Sequence, residues 1–156
     1  MTEKKLKYLQ YLEKFENCPS VDFTEVERDA FRWTNNPIVE KNFLPVSILT
    51  PHRILDESDL KCISYGLSMF DTLINSLNKY KSLYNKLRSH QKLQFKSENG
   101  QVALLRLTKN DGVADEPKKH NFGHFTFHEY QNTRLENNVI YLYDIFLDNG
   151  EFNIKL

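Results

Sequence analysis

The sequence predicts an α+β fold with an N-terminal helical hairpin, a central amphipathic basic helix and a mostly antiparallel C-terminal sheet. Three observations predict it. Apolar residues recur at helical spacing near the N-terminus. They do so again after Asp71, where Leu73, Ile74, Leu77, Tyr80, Tyr84 and Leu87 form one stripe. Beyond residue 100 the pattern changes to apolar runs of strand length separated by Asn, Asp and Gly. At 156 residues and 40% hydrophobic, the chain fits a single domain, 1–156, with the hairpin over 1–34 and the sheet with its central helix, 71–88, over 43–156.

Leu6, Leu9, Leu12 and Phe15 stand at three-residue steps and predict a surface helix over Glu3–Glu16. Cys18, Pro19 and Ser20 break it. Asp22 and Thr24 are each followed three residues later by a glutamate, a capping-box pattern that predicts a second helix to about Trp33, the hairpin's buried anchor. Asn35, Asn36 and Pro37 make a turn, and prolines 45 and 51 frame Val46–Leu49 as an edge strand or extended loop. His52 and Arg53 follow, then the acidic residues Asp56, Glu57 and Asp59.

Leu60–Phe70 supports two readings. Leu60, Ile63, Leu67 and Phe70 continue a helical stripe, whereas Lys61–Phe70 as a strand puts Cys62, Ser64, Gly66 and Ser68 on one face. Gly66 weakens a helix by roughly 1 kcal/mol, which favours the strand. A face of four small residues admits close approach, by a packed helix or by a ligand. Asp71 is the expected N-cap of the basic helix. No Asp or Glu occurs between Thr72 and Ser97, while Lys79, Lys81, Lys86, Arg88, Lys92 and Lys96 supply six cations.

Asn99 and Gly100 lead into the strand Gln101–Leu107, so that 60–107 reads as a βαβ unit with a right-handed crossover. Lys109–Lys119 reads as a polar loop. Phe122–Tyr130 alternates, with His124, Thr126, His128 and Tyr130 opposite Phe125, Phe127 and Glu129. Val139–Phe146 is a further strand, and Asp148, Asn149 and Gly150 turn it into a hairpin with Phe152–Leu156.

Net charge is zero and mean hydropathy −0.59. No window approaches a membrane span, the N-terminus shows no apolar secretion-signal core, and Cys18 and Cys62 stand far apart, so a cytoplasmic, reducing setting is expected. His120, His124 and His128 recur every four residues, a zinc spacing on a helix. On a strand that interval covers about 13 Å, too far for two of them to grip one ion, so no metal and no cofactor is expected. The common catalytic motifs are absent. Candidate catalytic residues are Arg53, Ser68, His128 and Glu129.

The order of a serine-bearing strand, a helix and a later strand ending in glutamate is similar to that of ADP-ribosyltransferase-like folds. The analogy assigns roles to Arg53, Ser68 and Glu129, although Phe70 occupies the second serine position and no Arg-Gly phrase precedes it. The uncompensated cations favour an acidic face of a protein partner, with nucleic acid as the alternative. A pI near 7 counts against a dedicated nucleic-acid protein. The expectation is therefore a small non-enzymatic accessory module that binds protein through the basic helix and the Phe122–Tyr130 strand. The alternatives are a nucleotide- or nucleic-acid-directed enzyme and an RNA- or DNA-binding protein.

Overall fold

The computed structural model describes residues 4–51 and 58–155. A seven-stranded, fully antiparallel sheet in the order β1-β5-β6-β3-β2-β4-β7 carries the fold. Its strands are β1 (Thr24–Glu25), β2 (Arg28–Thr34), β3 (Leu67–Phe70), β4 (Gln101–Leu107), β5 (Gly112–Ala114), β6 (His124–Glu129) and β7 (Val139–Asp144). Five helices, α1 (Leu9–Leu12), α2 (Val46–Leu49), α3 (Ser58–Ile63), α4 (Leu73–Tyr84) and α5 (Ser89–Glu98), complete the α+β architecture among the described residues.

Period-two alternation divides the apolar side chains between the two faces. On one face Ala30, Leu67, Met69, Leu105, Phe125 and Phe127 form a core closed by Phe43 and Leu135. On the other, α4 and α5 lay Leu77, Tyr80 and Phe95 over Phe31, Trp33, Val102 and Tyr143. Trp33 stacks on Phe70, meets Tyr80 edge-on and donates from Nε1 to the Ser76 carbonyl at 3.2 Å.

The helical hairpin predicted over 1–34 does not form. Its first helix shrinks to α1, because residues 5–7 pair with the end of β6: Lys7 N donates to Glu129 O and Gln131 N to Lys5 O, each at 2.8 Å. Its second helix is replaced by β1 and β2. The run RDAFRWT satisfies a strand as well as a helix, and a seven-residue register with β4, from Arg28↔Leu107 to Thr34↔Gln101, outweighs the local capping signal.

Leu60–Phe70 is divided between α3 and β3, with the break just before Gly66. Val46–Leu49 is one helical turn rather than a strand: Pro45 is its N-cap in extended backbone, and Leu49 N donates to Pro45 O at 3.0 Å and Thr50 N to Val46 O at 2.8 Å. The basic helix of 71–88 ends at Tyr84, and α5 begins as a separate element. Its N-cap is Thr72, which accepts from Asn75 N at 3.0 Å, whereas Asp71 accepts from the Asn75 side chain.

The expected βαβ unit of 60–107 forms in split form: β3 and β4 run parallel, joined through α4 and α5, but they are not neighbours, because β2 lies between them and is antiparallel to both. The polar loop of 109–119 contains β5. Cys18 and Cys62 are joined in a disulfide, which replaces the expectation of two separate thiols. None of the described helices is long and apolar enough to cross a membrane.

Candidate functional site

The site arises where the central sheet splits. β2 and β3 share a single residue pair, Phe31↔Phe70, after which β2 continues with β4 alone. Arg32, the next residue, fills the opening. Its Nη1 donates to the Ser68 carbonyl and its Nε to the Asn42 carbonyl, both at 2.7 Å, so the guanidinium replaces ladder bonds lost to the split. Nη2 makes no hydrogen bond among the described residues. Burial pulls the guanidinium down to about 10, against the opposing influence of Glu129, so Arg32 is a cation at neutral pH.

Ser68 pairs with Thr126 and Phe70 with His124, so His124 lies diagonally across from Ser68 on the same face. Its imidazole reaches over that diagonal, and Nε2 is hydrogen-bonded to Ser68 Oγ. The ring is held edge-on against Phe70 at 5.7 Å. Burial lowers the His124 pKa, with Lys118, Lys79 and Arg32 acting the same way and Asp115 opposing. The ring is therefore neutral at pH 7, while Ser68 is exposed.

Two clefts meet at Arg32, Ser68 and His124. One, about 330 Å³, has an apolar rim that includes Leu44, Val46, Leu49 and Ile63. The other, about 300 Å³, includes Trp33, Phe70, Lys79 and Asn121. The apolar rim is built by α2 and α3, which are tied together by Ser47 N donating to Ser64 O at 3.1 Å and by a contact between the two serine hydroxyls. Cys62 ties α3 to the N-terminal segment, where Tyr65 also stacks on Tyr11. Beneath the rim, a Cβ on Gly66 would stand 2.5 Å from Thr126 Cγ2, so the glycine permits close packing of the floor. Chemically the junction offers a guanidinium with a free edge, an exposed hydroxyl and a neutral imidazole.

Of the residues predicted from sequence, Ser68 lies at this junction and Arg53 lies outside the described residues. His128 shares the face of Ser68 but is packed under Gly66 and edge-on to Phe23, with Nε2 unpartnered, and burial pushes its pKa down to about 4. Glu129 points to the opposite face, where Oε2 accepts from Lys7 Nζ at 2.7 Å. Ser68, His128 and Glu129 therefore do not converge. His124 and His128 are held by different neighbours, and no cluster of three metal-ligating side chains occurs among the described residues. β6 is an interior strand whose residues are mostly buried, so it offers no edge to a partner.

The cations of 79–96 are largely engaged in the fold. Lys79, Lys81, Lys92 and Lys96 lie over the rings of Phe122, Phe152, Tyr84 and Phe146 at 5.4, 5.7, 5.2 and 4.4 Å. Lys79 also donates to Asn121 Oδ1 and Lys96 to Gly150 O. Lys86 and Arg88 remain exposed between α4 and α5. Tyr80 is fully buried and its hydroxyl donates to Asn99 O at 2.6 Å, which removes it as a stacking group.

Sequence reasoning missed Arg32, because its role depends on where β2 and β3 part. His124 stood out only as part of a histidine repeat. The β3–β6 register that brings it to Ser68 has no local signature. The chain matches no known family model, no curated protein and no solved structure.

Proposed function

We propose that this chain is a binding module that works inside a larger assembly, and that it recruits an extended strand of a protein partner along the free edge of β7. The observation that carries this reading is the character of that edge. Among the described residues β7 pairs only with β4, with one bulge at Ile140, and its other side presents unpaired backbone donors and acceptors. Ile140 and Tyr141 are 60% and 58% exposed, and the strand contains no lysine or proline to discourage pairing. The opposite edge, β1, is two residues long and exposed, a much poorer template. Addition of a strand draws its affinity from main-chain hydrogen bonds and its specificity from alternate side chains.

The preferred partner carries acidic residues beside that strand. Beyond the C-terminal end of β7, Phe146 lies under Lys96 of α5, which sets one cation of the basic run near that end of the strand. Four of the six cations also serve the fold by lying over aromatic rings, which supports a local acidic contact over a polyanion tracking the whole helix. The disulfide favours an oxidising setting for the assembly over the reducing cytoplasm.

The test is native mass spectrometry of protein purified gently from its own host, followed by hydrogen exchange on the complex. Amides of Val139–Asp144 should gain protection, and Ile140→Lys with Tyr141→Lys should weaken the partner at least tenfold without unfolding the chain. A partner that leaves β7 unprotected, or binds the double variant unchanged, would refute the edge assignment.

A further inference from the structure

We propose that the cleft at the β2–β3 split is a binding site for a small amphipathic anion, an apolar chain ending in a carboxylate or phosphate. The head would lie at Arg32 and Ser68 and the chain would lie along Leu44, Val46, Leu49 and Ile63. The proposal is independent of the β7 edge, which ends the sheet on the far side of β2 and β4.

Three features of the cleft specify this chemistry. The first is an anion site with a free donor. Two of the guanidinium nitrogens of Arg32 are spent on the carbonyls of Ser68 and Asn42, which fixes its plane and leaves Nη2 available. The second is the Ser68–His124 pair. In the tautomer that carries its proton on Nε2, His124 donates to Ser68 Oγ and leaves the serine proton for a ligand oxygen; anion binding selects that tautomer, in which the serine and Nη2 supply two donors. Lys79, on the wall of the adjoining cleft, adds positive charge, and Glu129, the carboxylate that acts on Arg32 from the other face, is itself paired with Lys7.

The third feature is the rim. Val46, Leu49 and Ile63 are 38%, 44% and 38% exposed, three apolar side chains from two short helices gathered at one opening. Isolated exposed apolar residues are ordinary, but three around one cleft with a guanidinium at its base are the pattern of a ligand with an apolar body and a charged end. A volume of about 330 Å³ suits a short chain. Each methylene that enters should tighten binding roughly fourfold.

Titration calorimetry with octanoate and octyl phosphate tests the site, with octanol and acetate as probes lacking the charge or the chain. One or both octyl anions should bind one to one, and the tighter of the two identifies the head group. Octanol and acetate should bind at least tenfold more weakly. Leu49→Asp, at an exposed position, should cost tenfold or more with no change in thermal stability. Arg32→Met should abolish binding; if it fails to fold, Arg32→Lys, which keeps the charge but loses the forked donors, should weaken binding tenfold or more, and unchanged binding by it would count against the head-group site. In NMR titrations the His124 ring and the Val46 and Ile63 methyls should shift together. Equal binding of octanol and octanoate, shifts confined to another surface, or no binding by either anion would overturn the proposal.

Discussion

Reduction of the Cys18–Cys62 disulfide should destabilise the protein and loosen one wall of the cleft before anything else. The bridge joins residues 44 apart in sequence. In the chain-entropy picture, cross-linking a loop of that size removes about 13 cal/mol/K from the unfolded chain, or about 4 kcal/mol at 25 °C. A chain of 156 residues unfolds with an entropy of roughly 0.33 kcal/mol/K, so the loss corresponds to about 12 °C in Tm. Trp33, the only tryptophan, is packed against Phe70, Tyr80 and Phe95 and reports on the sheet and both long helices together.

Urea unfolding followed by Trp33 fluorescence, with and without dithiothreitol, measures the effect, and a Cys18→Ser, Cys62→Ser protein should match the reduced one. The structure also predicts where loosening begins. Cys62 belongs to α3, and α3 holds α2 through Ser64 and Ser47, so amides of 44–49 and 61–66 should exchange faster in the reduced protein at zero urea. β2 and β4, paired over seven residues, should keep their protection. A reduced protein, its thiols verified by alkylation and mass, that unfolds at an unchanged urea midpoint would refute the argument.

Three further substitutions probe the frame around the site. Glu129 is held above the ordinary carboxylate range by burial, against the pull of Lys7 and Arg32. The native state therefore takes up its proton more readily than the unfolded chain, and the stability it contributes falls as pH rises from the unfolded value through the folded one. Lys7→Met leaves that carboxylate unpaired and should cost about 3–5 kcal/mol near pH 7 but clearly less near pH 4; equal costs in urea titrations at both pH values would count against the pairing. Gly112→Ala would bring a Cβ to 2.2 Å from the His128 carbonyl and 2.7 Å from Phe127, and a loss of about 1–3 kcal/mol is expected in the same assay. Thr72→Ala removes the cap on Asn75 N and should cost about 1 kcal/mol, whereas a neutral result would return the capping role to Asp71.

What could be read from the sequence depended on whether a pattern had one structural solution. β6 was legible because Phe125 and Phe127 are fully buried on one face while His124, Thr126 and His128 face the other, and only a strand satisfies that alternation. β4 and most of β7 were legible for similar reasons. β2 was not. Arg28–Thr34 offers Ala30 and Thr34 at helical spacing and Phe31 and Trp33 at strand spacing, and the choice is made by β4, about seventy residues away in sequence. The disulfide was hidden by the same dependence on distant contacts, since its two half-cystines are 44 residues apart in sequence and the folded chain brings their Cα atoms to 5.8 Å.

The small residues Cys62, Ser64, Gly66 and Ser68 show how far a correct local observation can carry. Their alternation indicates a face open to close approach, which a strand or a packed helix would each use in one uniform way. The chain instead changes from α3 to β3 within that stretch, and the four side chains separate into four tasks. Cys62 bonds Cys18, Ser64 meets Ser47, Gly66 makes room for Thr126 and His128, and Ser68 engages His124 beside Arg32. The first three hold the rim and floor of the cleft in place. Only the fourth is exposed within it. A helix continuing through Gly66 would carry Ser68 away from Thr126 and His124, so the break between α3 and β3 is what turns a stripe of small residues into a site.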